Sequence, residues 1–350
     1  METTRRKTPR PEGFGAIEYA AFAVACAAAL LLCVCVGSVN ISIREICRVW
    51  GEALRGTLSA HDMTASILLS VRLPRVLCVA LSGAALSLCG AAMQGLLKNP
   101  LADGSTLGVS AGASLGAVLA IAFGVSIPGL PLAGAMGMAM LFSFLSLMVI
   151  LPLAYRMDHS LSTNTIILIG VIYSMFVSSI ISLVTTFAGD RVKHITFWTM
   201  GSLSGSGYKE AAILLLSLLF FGAVILRFAR ELNAFAIGEE NARHIGVDVR
   251  RVKLVILLCV SALIGVCVSI GGAIGFVGLV TPHMVRMLVG PNHKRLLPAS
   301  LFGGAIFLML ADLLARVLLN PIELPIGVVT SFIGAILFIC IFYRSRRAEG

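Results

Sequence analysis

Few residues in this sequence are placed to do chemistry, and most of those are arginines. Arg72 and Arg75 stand three apart in the segment VRLPR, on one face if that segment is helical. Asp312 and Arg316 stand four apart in ADLLARV, the spacing of a helical ion pair. Both sets sit at the ends of long apolar runs, where an ionisable group is a functional candidate by default. The three arginines suit snorkelling to lipid head groups or an electropositive outer patch for an acidic partner. Asp312 and Arg316 equally suit a plain i, i+4 pair. Enzymatic machinery is not spelled out: the sequence has no G-x-x-x-x-G-K-[ST] nucleotide loop, no G-x-S-x-G and no H-E-x-x-H. His61, His159, His194, His244, His283 and His293 fall at loops or span ends. Cys33-x-Cys35 reads as helix packing, and no Cys or His spacing matches a metal-ligand set. Neither a catalytic residue, a metal site nor a resident cofactor is expected in this chain.

One connecting segment differs from the rest. ELNAFAIGEENARHIGVDVRRVK (231–253) carries dense mixed charge, with Gly238 and Gly246 bracketing a short helical stretch from Glu239 to Ile245. Glu239 and Glu240 fall in its first turn and Arg243 and His244 in its last, matching the helix macrodipole at both ends. Ala242 and Ile245, three apart, form a small apolar face. A solvated connector would explain this segment, and so would a docking element for a soluble subunit.

The elements that position these groups follow from hydropathy. The chain is 58% hydrophobic and 13% charged, with mean hydropathy +0.98, whereas soluble domains carry roughly 25% charged residues. Apolar runs of spanning length lie at about 17–38, 66–96, 105–124, 130–154, 163–187, 210–228, 253–270, 274–289, 298–319 and 323–343. The predicted fold is an all-α polytopic membrane protein with ten transmembrane helices and both termini cytoplasmic. A tail (1–16) precedes one permease domain (17–347) holding the cytoplasmic loop 231–253, and 348–350 close the chain. The short run 274–289 leaves nine spans as the alternative count. Of the 27 Lys and Arg, 18 fall on the predicted cytoplasmic side, including Arg5, Arg6, Lys7 and Arg10, and nine on the outer side. The net charge of +10 is thus a topology signal, and no nucleic-acid partner is expected. Gly108, Gly112 and Gly116 form a small-xxx-small face on the third span, the pattern of close helix contact in lipid. Pro74, Pro152, Pro282 and Pro325 interrupt spans, which is tolerated beside a buried or aqueous cavity.

Several blocks then carry a family resemblance: RLPR (72–75), SGAALSLCGAAMQGLLKNPLADGSTLGVSAGASLGA (82–117), FWTMGSL (197–203), GEENARHIGV (238–247), GFVGLVTPHMVRMLVGPNHKRLLP (275–298), ADLLARVL (311–318) and ELPIGVVTSFIGA (323–335). Together they resemble the permease subunit of the iron-siderophore, haem and cobalamin class of ABC importers, over about 17–347. Gly104, Tyr208 and Ile336 depart from that pattern, where Pro, Trp and Pro are common.

The resemblance implies a permease in the cytoplasmic (inner) membrane. It pairs with a second copy or a related permease, with two ABC ATPase subunits that use ATP and Mg, and with a periplasmic or lipid-anchored substrate-binding protein. By position, Gly238, Glu239, Glu240, Ala242, Arg243, Gly246 and Val247 become the ATPase-coupling element. Arg72, Arg75 and Arg316 become the binding-protein docking residues, and Ser162, Thr163 and Asn164 the cytoplasmic gate. The segment from Gly189 to Tyr208 matches a short outer helix near the vestibule. A ferric siderophore is the default cargo, with haem or cobalamin as alternatives. The competing class is a self-contained secondary transporter of a small solute. It needs a chain of buried acids, and Asp312 is the only in-span acid away from a flank in this reading.

Overall fold

A computed structural model describes residues 13–37, 39–59, 61–125, 133–159 and 162–349, and no strand occurs among them. The basic flank Arg5, Arg6, Lys7 and Arg10 lies outside the described residues. In chain order the helices are α1 (Ala16–Cys35), α2 (Ile43–Arg55), α3 (Met63–Leu96), α4 (Val109–Phe123), α5 (Ala133–Met157), α6 (Thr163–Thr186) and α7 (Val192–Thr199). They continue as α8 (Tyr208–Arg227), α9 (Ala229–Ala236), α10 (Glu239–His244), α11 (Val249–Gly271), α12 (Val277–Val289), α13 (His293–Val317) and α14 (Ile326–Glu349).

Seven helices among the described residues (α1, α3, α5, α6, α8, α11 and α13) are long and apolar enough to cross a membrane, by length and composition. Two expected spans come out short. The runs 105–124 and 274–289 form helices of 15 and 13 residues, about 22 and 20 Å long against ~30 Å of hydrocarbon. Both begin after backbone that leaves the right-handed region. Gly108 has φ 75°, and Gly272 and Phe276 have φ 68° and 67°, so the chain between α11 and α12 cannot continue as helix. The apolar stretch Ile326–Cys340 is likewise a shorter helix.

Helix α2 falls outside every expected span. Its hydrophobic periodicity is amphipathic, so a window tuned to uniform apolarity misses it. Ser42 opens it with a reciprocal cap: the Glu45 amide donates to Ser42 Oγ (3.3 Å) and the Ser42 amide to Glu45 Oε2 (2.8 Å). The Ser42 hydroxyl (2.7 Å) and the Ser42 amide, both donating to Glu45 Oε2, hold the Glu45 carboxyl below its usual range. The cap is therefore intact above that range and weakens as pH falls through the lowered value. Gly56, at φ 68°, ends the helix.

Helices α3 and α11 are the central pillars. Within each, 78% of the spanning window is buried inside the protein, against 17% for α1 and 22% for α6. Small residues make that possible, because helices in lipid associate through close backbone approach. Gly83 of α3 faces Gly304 of α13, and Gly90 faces Gly278 of α12, each leaving no room for a β-carbon beside the partner's backbone. The expected glycine face on the third span is split. Gly112 and Gly116 pack on Ser146 and Met138 of α5, whereas Gly108 caps α4 and faces Tyr173 and Ile150.

Gly90→Ala should therefore lower stability by about 1–3 kcal/mol, the cost of overpacking a tight contact. Gly137→Ala, where a β-carbon meets nothing within 4 Å, should not. Thermal unfolding of the detergent-solubilised variants checks the contrast, and equal midpoints would refute it.

Candidate functional site

The C-terminal ends of α1 and α13 meet the N-terminal part of α3 in a buried charge cluster. Helix α3 widens into one π-helical stretch at Ile67–Arg72. Such a bulge turns the side chains that follow it and leaves a carbonyl short of its helical donor. The Tyr208 hydroxyl donates to Leu69 O at 2.7 Å. Beyond the bulge, Arg75 donates through Nε and Nη2 to Asp312 Oδ1 (3.1 and 3.0 Å) and through Nη1 to Glu323 Oε2 (2.8 Å). The other Asp312 oxygen lies 2.9 Å from Arg316 Nε, a charge contact without hydrogen-bond alignment. Asp312 is thus the i, i+4 partner of Arg316 and also the partner of an arginine 237 positions away.

Two guanidinium groups also reach the end of α1. Arg72 donates to Val34 O (2.9 Å) and Val39 O (2.6 Å), and Arg316 to Cys33 O (3.2 Å) and Val36 O (3.3 Å). The Cys33, Val34 and Val36 carbonyls are ones that a helix C-terminus leaves without intrahelical donors, at the negative end of its dipole, and Val39 lies in the connection that follows. Three arginines against two carboxylates leave one excess positive charge, and the α1 terminus supplies the balancing partial charge. Gly37 fits because a β-carbon there would lie 2.8 Å from Arg72 Nη2 and 2.9 Å from Arg316 Nη1.

This arrangement corrects the expectation of an exposed electropositive patch. Arg72, Arg75 and Arg316 are only 6%, 8% and 4% exposed, and each guanidinium is occupied within the chain. The docking role itself belongs to the proposal below.

On the other side, the 231–253 connection folds as α9, α10 and the start of α11. Gly238 (φ 119°) and Gly246 (φ 90°) bracket α10, and its charges follow the macrodipole as expected. The anticipated apolar face does not form. Ala242 is fully buried against its own chain, while Ile245 is 64% exposed together with Ile237 at 60%. Glu240, Asn241, Arg243 and His244 are exposed. The element stands on a fixed base: Lys253, with no exposed surface, places Nζ 2.8 Å from Glu239 Oε2. Asn233 of α9 donates to Asn292 Oδ1 at 2.8 Å and accepts from the His293 amide at 2.8 Å. The Arg250 guanidinium lies over the Tyr155 ring at 4.6 Å, which joins α11 to α5.

Ser162, Thr163 and Asn164 lie at the start of α6. The Ser162 amide donates to Asp158 Oδ2 (3.1 Å), and its hydroxyl shares a 2.9 Å bond with Thr165 Oγ1. Asn164 is exposed, and Thr163 is half-buried. The described residues include no group of three or more His, Cys, Asp or Glu able to hold a metal. Sequence reasoning missed Lys253, which falls in the mixed-charge connection and whose partner is 14 residues away with no helical register. It also missed Asp103, which lines a cavity of about 100 Å³ with Gly278 and Ile264, beside the N-terminal end of α12 where a carboxylate is favoured.

Asp312→Asn should destabilise the protein by about 3–5 kcal/mol, because it leaves buried arginines uncompensated. Glu323→Gln should cost about 0–1 kcal/mol, as its side chain is 36% exposed and screened by solvent. Denaturation in detergent distinguishes them, and similar losses would refute the central place of Asp312.

A family model described as the FecCD transport family matches residues 25–344. The ABC transporter permease protein YvrB of Bacillus subtilis is 43% identical over 327 residues, 92% of each chain. The hemin transport system permease protein HmuU of Yersinia pestis is 36% identical over 313 residues, 89% of this chain and 90% of its own. A solved inward-facing structure described as a metal-chelate type ABC transporter superimposes with TM-score 0.81 at 30% identity, covering 93% of this chain and 98% of that one. The block motifs, the helical architecture and these similarities agree, and the chain belongs to the FecCD transport family, as an ABC importer permease.

Proposed function

We propose that this permease crosses the cytoplasmic (inner) membrane ten times, with both termini cytoplasmic. The seven long helices supply seven crossings, and α4, α12 and α14 supply the remaining three as shorter ones. The two-to-one bias of basic residues supports the orientation. A second copy of the chain completes the translocation path. The large apolar side chains of α6 and α14 that are exposed in the single chain, among them Met175, Phe176, Phe332 and Ile336, are consistent with such a partner. Ser162, Thr163 and Asn164 narrow the cytoplasmic exit.

Two ABC ATPase subunits bind from the cytoplasm at α10, using ATP and Mg themselves while this chain holds no cofactor. The observation that carries this reading is α10 itself, a short helix exposing Glu240, Arg243 and, at its end, Ile245, while Glu239 pairs with Lys253 of α11 and Ala242 is buried. A soluble binding protein, periplasmic or lipid-anchored, delivers cargo to the outer face. Arg72, Arg75 and Arg316 support that docking by fixing the helix ends on which the partner rests. The cargo we propose is a metal chelate, with ferric siderophore first and haem or cobalamin next. HmuU, named for hemin, and the metal-chelate type structure both fit that class.

Glu240→Lys combined with Arg243→Glu should sharply reduce uptake per ATP hydrolysed in vesicles containing the ATPase subunits and binding protein. Transport equal to wild type would sink the assignment of α10. For the cargo, fluorescence quenching of the cognate binding protein by ferric siderophores, haem and cobalamin, with molybdate as an oxyanion control, should show saturable binding of one chelate. Binding of molybdate alone would overturn the chelate reading.

A further inference from the structure

Helix α2 is the one long amphipathic element that the transport reading does not use. Its 13 residues span about 20 Å. At ~100° per residue, Ile43, Cys47, Trp50 and Leu54 fall within about 60° of arc, and Arg44, Arg48 and Arg55 within about 40°, a third of a turn away. Ile46 and Val49 form a separate face that is buried in the protein at 8% and 0% exposure. The apolar stripe is therefore additional to the packing face. It remains outside, with Ile43 58%, Trp50 47% and Leu54 85% exposed and Cys47 also exposed. Arg44 and Arg55 are exposed beside it, while Arg48 is drawn to Asp62 at 2.9 Å.

Placement decides what covers that stripe. Helix α2 joins two long apolar helices, α1 and α3, through connections at 36–42 and 56–62. Arg72 of α3 holds the Val39 carbonyl in the first connection, and the Arg48–Asp62 pair ties α2 to the start of α3. The helix thus follows closely on the end of α1, whose 20 residues span about 30 Å, the thickness of the hydrocarbon core, so that this end lies at the head-group zone. A tryptophan within an apolar stripe, flanked by arginines, matches that zone: the ring sits at the acyl boundary and the guanidinium groups reach phosphates.

We propose that α2 lies in the outer-leaflet interface, its Ile43–Cys47–Trp50–Leu54 stripe among acyl chains and Arg44 and Arg55 on phospholipid phosphates. Bidentate guanidinium–phosphate bonding favours arginine in this role. The lipid thereby supports the turn that Arg72 and Gly37 make at the end of α1. The choice of the outer leaflet rests on the orientation proposed above, whereas the lipid contact itself rests on the chain's membrane helices and stands or falls separately from the assignment of cargo or coupling.

The chain has two tryptophans, Trp50 and Trp198, so Trp198→Phe makes Trp50 the sole reporter. In vesicles of phosphatidylcholine and phosphatidylglycerol, Trp50 emission should be blue-shifted and largely lost when the lipids are brominated near the glycerol end of their acyl chains. Aqueous acrylamide should quench it weakly. Should Trp198→Phe fail to fold, the difference between wild type and Trp50→Phe reports the same signal. Strong acrylamide quenching with no response to brominated lipid would overturn the proposal. So would protection that arises only on adding the soluble binding protein, which would assign the stripe to that partner. In a second arm, phosphatidylglycerol added to detergent should raise the melting midpoint of wild type, and Arg44→Gln with Arg55→Gln should abolish that rise. An unchanged rise would overturn the phosphate contacts.

Discussion

The end of this permease at which α1 and α13 finish depends on one carboxylate, Asp312. An arginine that leaves water costs several kcal/mol unless its charge and donors are met, and three such arginines converge here. Asp312 offers one oxygen to Arg75 and the other to Arg316. Arg72 and Arg316 then spend their remaining donors on the carbonyls that end α1. Since α1 buries so little of its own surface, these bonds, with Cys33 Sγ on Met309 O, account for how a peripheral helix keeps its position. Its other end is held similarly, by Glu18 against Arg295 of α13. One helix, α13, thus supplies the arginine at each end of α1.

The interior obeys a different constraint. Hydrophobic expulsion does little between helices in lipid, so α3 is held by fit. Its glycines meet glycines on α12 and α13, and the Gln94 side chain donates to the carbonyls of Gly278 and Leu279 and accepts from Arg286. Those carbonyls belong to the first turn of α12, which follows the non-helical stretch after Gly272. Broken backbone at membrane depth is tolerable where protein covers it, and here Gly201 and Gly327 pack on the same break at Ala273.

How much of this was legible in the sequence varied with the range of the interaction. Apolar runs and local caps act over one or two turns, so the long spans and the Gly238–Gly246 bracket around α10 could be seen directly. The positions of α1, α3, α6, α8 and α13 follow from composition in the same way. The arginines were visible as candidates, but their partners were not. Arg75 with Asp312 and Lys253 with Glu239 are joined by tertiary contact alone, so the arginines read as an outward patch when they are in fact enclosed. Ala242 and Ile245 failed for a related reason. Spacing puts two residues near one another on a helix, but only the elements packed against it, α9 and α11, decide which of them is covered. Helix α2 escaped because its apolar residues alternate with charges, and uniform hydropathy cannot register a helix lying along an interface.

The two ends of the molecule therefore differ in how their charges are used. Where α1 and α13 finish, Arg72, Arg75 and Arg316 are each held within the chain by ion pairs or carbonyls, an arrangement that resists rearrangement because breaking a contact strands a buried charge. At the opposite end, Glu239 of α10 is tied inward, through Lys253, and Glu240, Arg243 and His244 of that helix face out. Lys253 lies one turn into α11, whose far end is the Gly271–Gly272 break. A displacement of α10 would therefore act on a rigid 23-residue helix gripped along most of its length by α3, α4 and α5. In such an arrangement the easiest movement is of packed helices as bodies, with the non-helical joint at 272–276 absorbing the change. Such motion would serve the coupling to a separate ATPase proposed above, since coupling between distant sites needs elements that move between discrete arrangements without deforming.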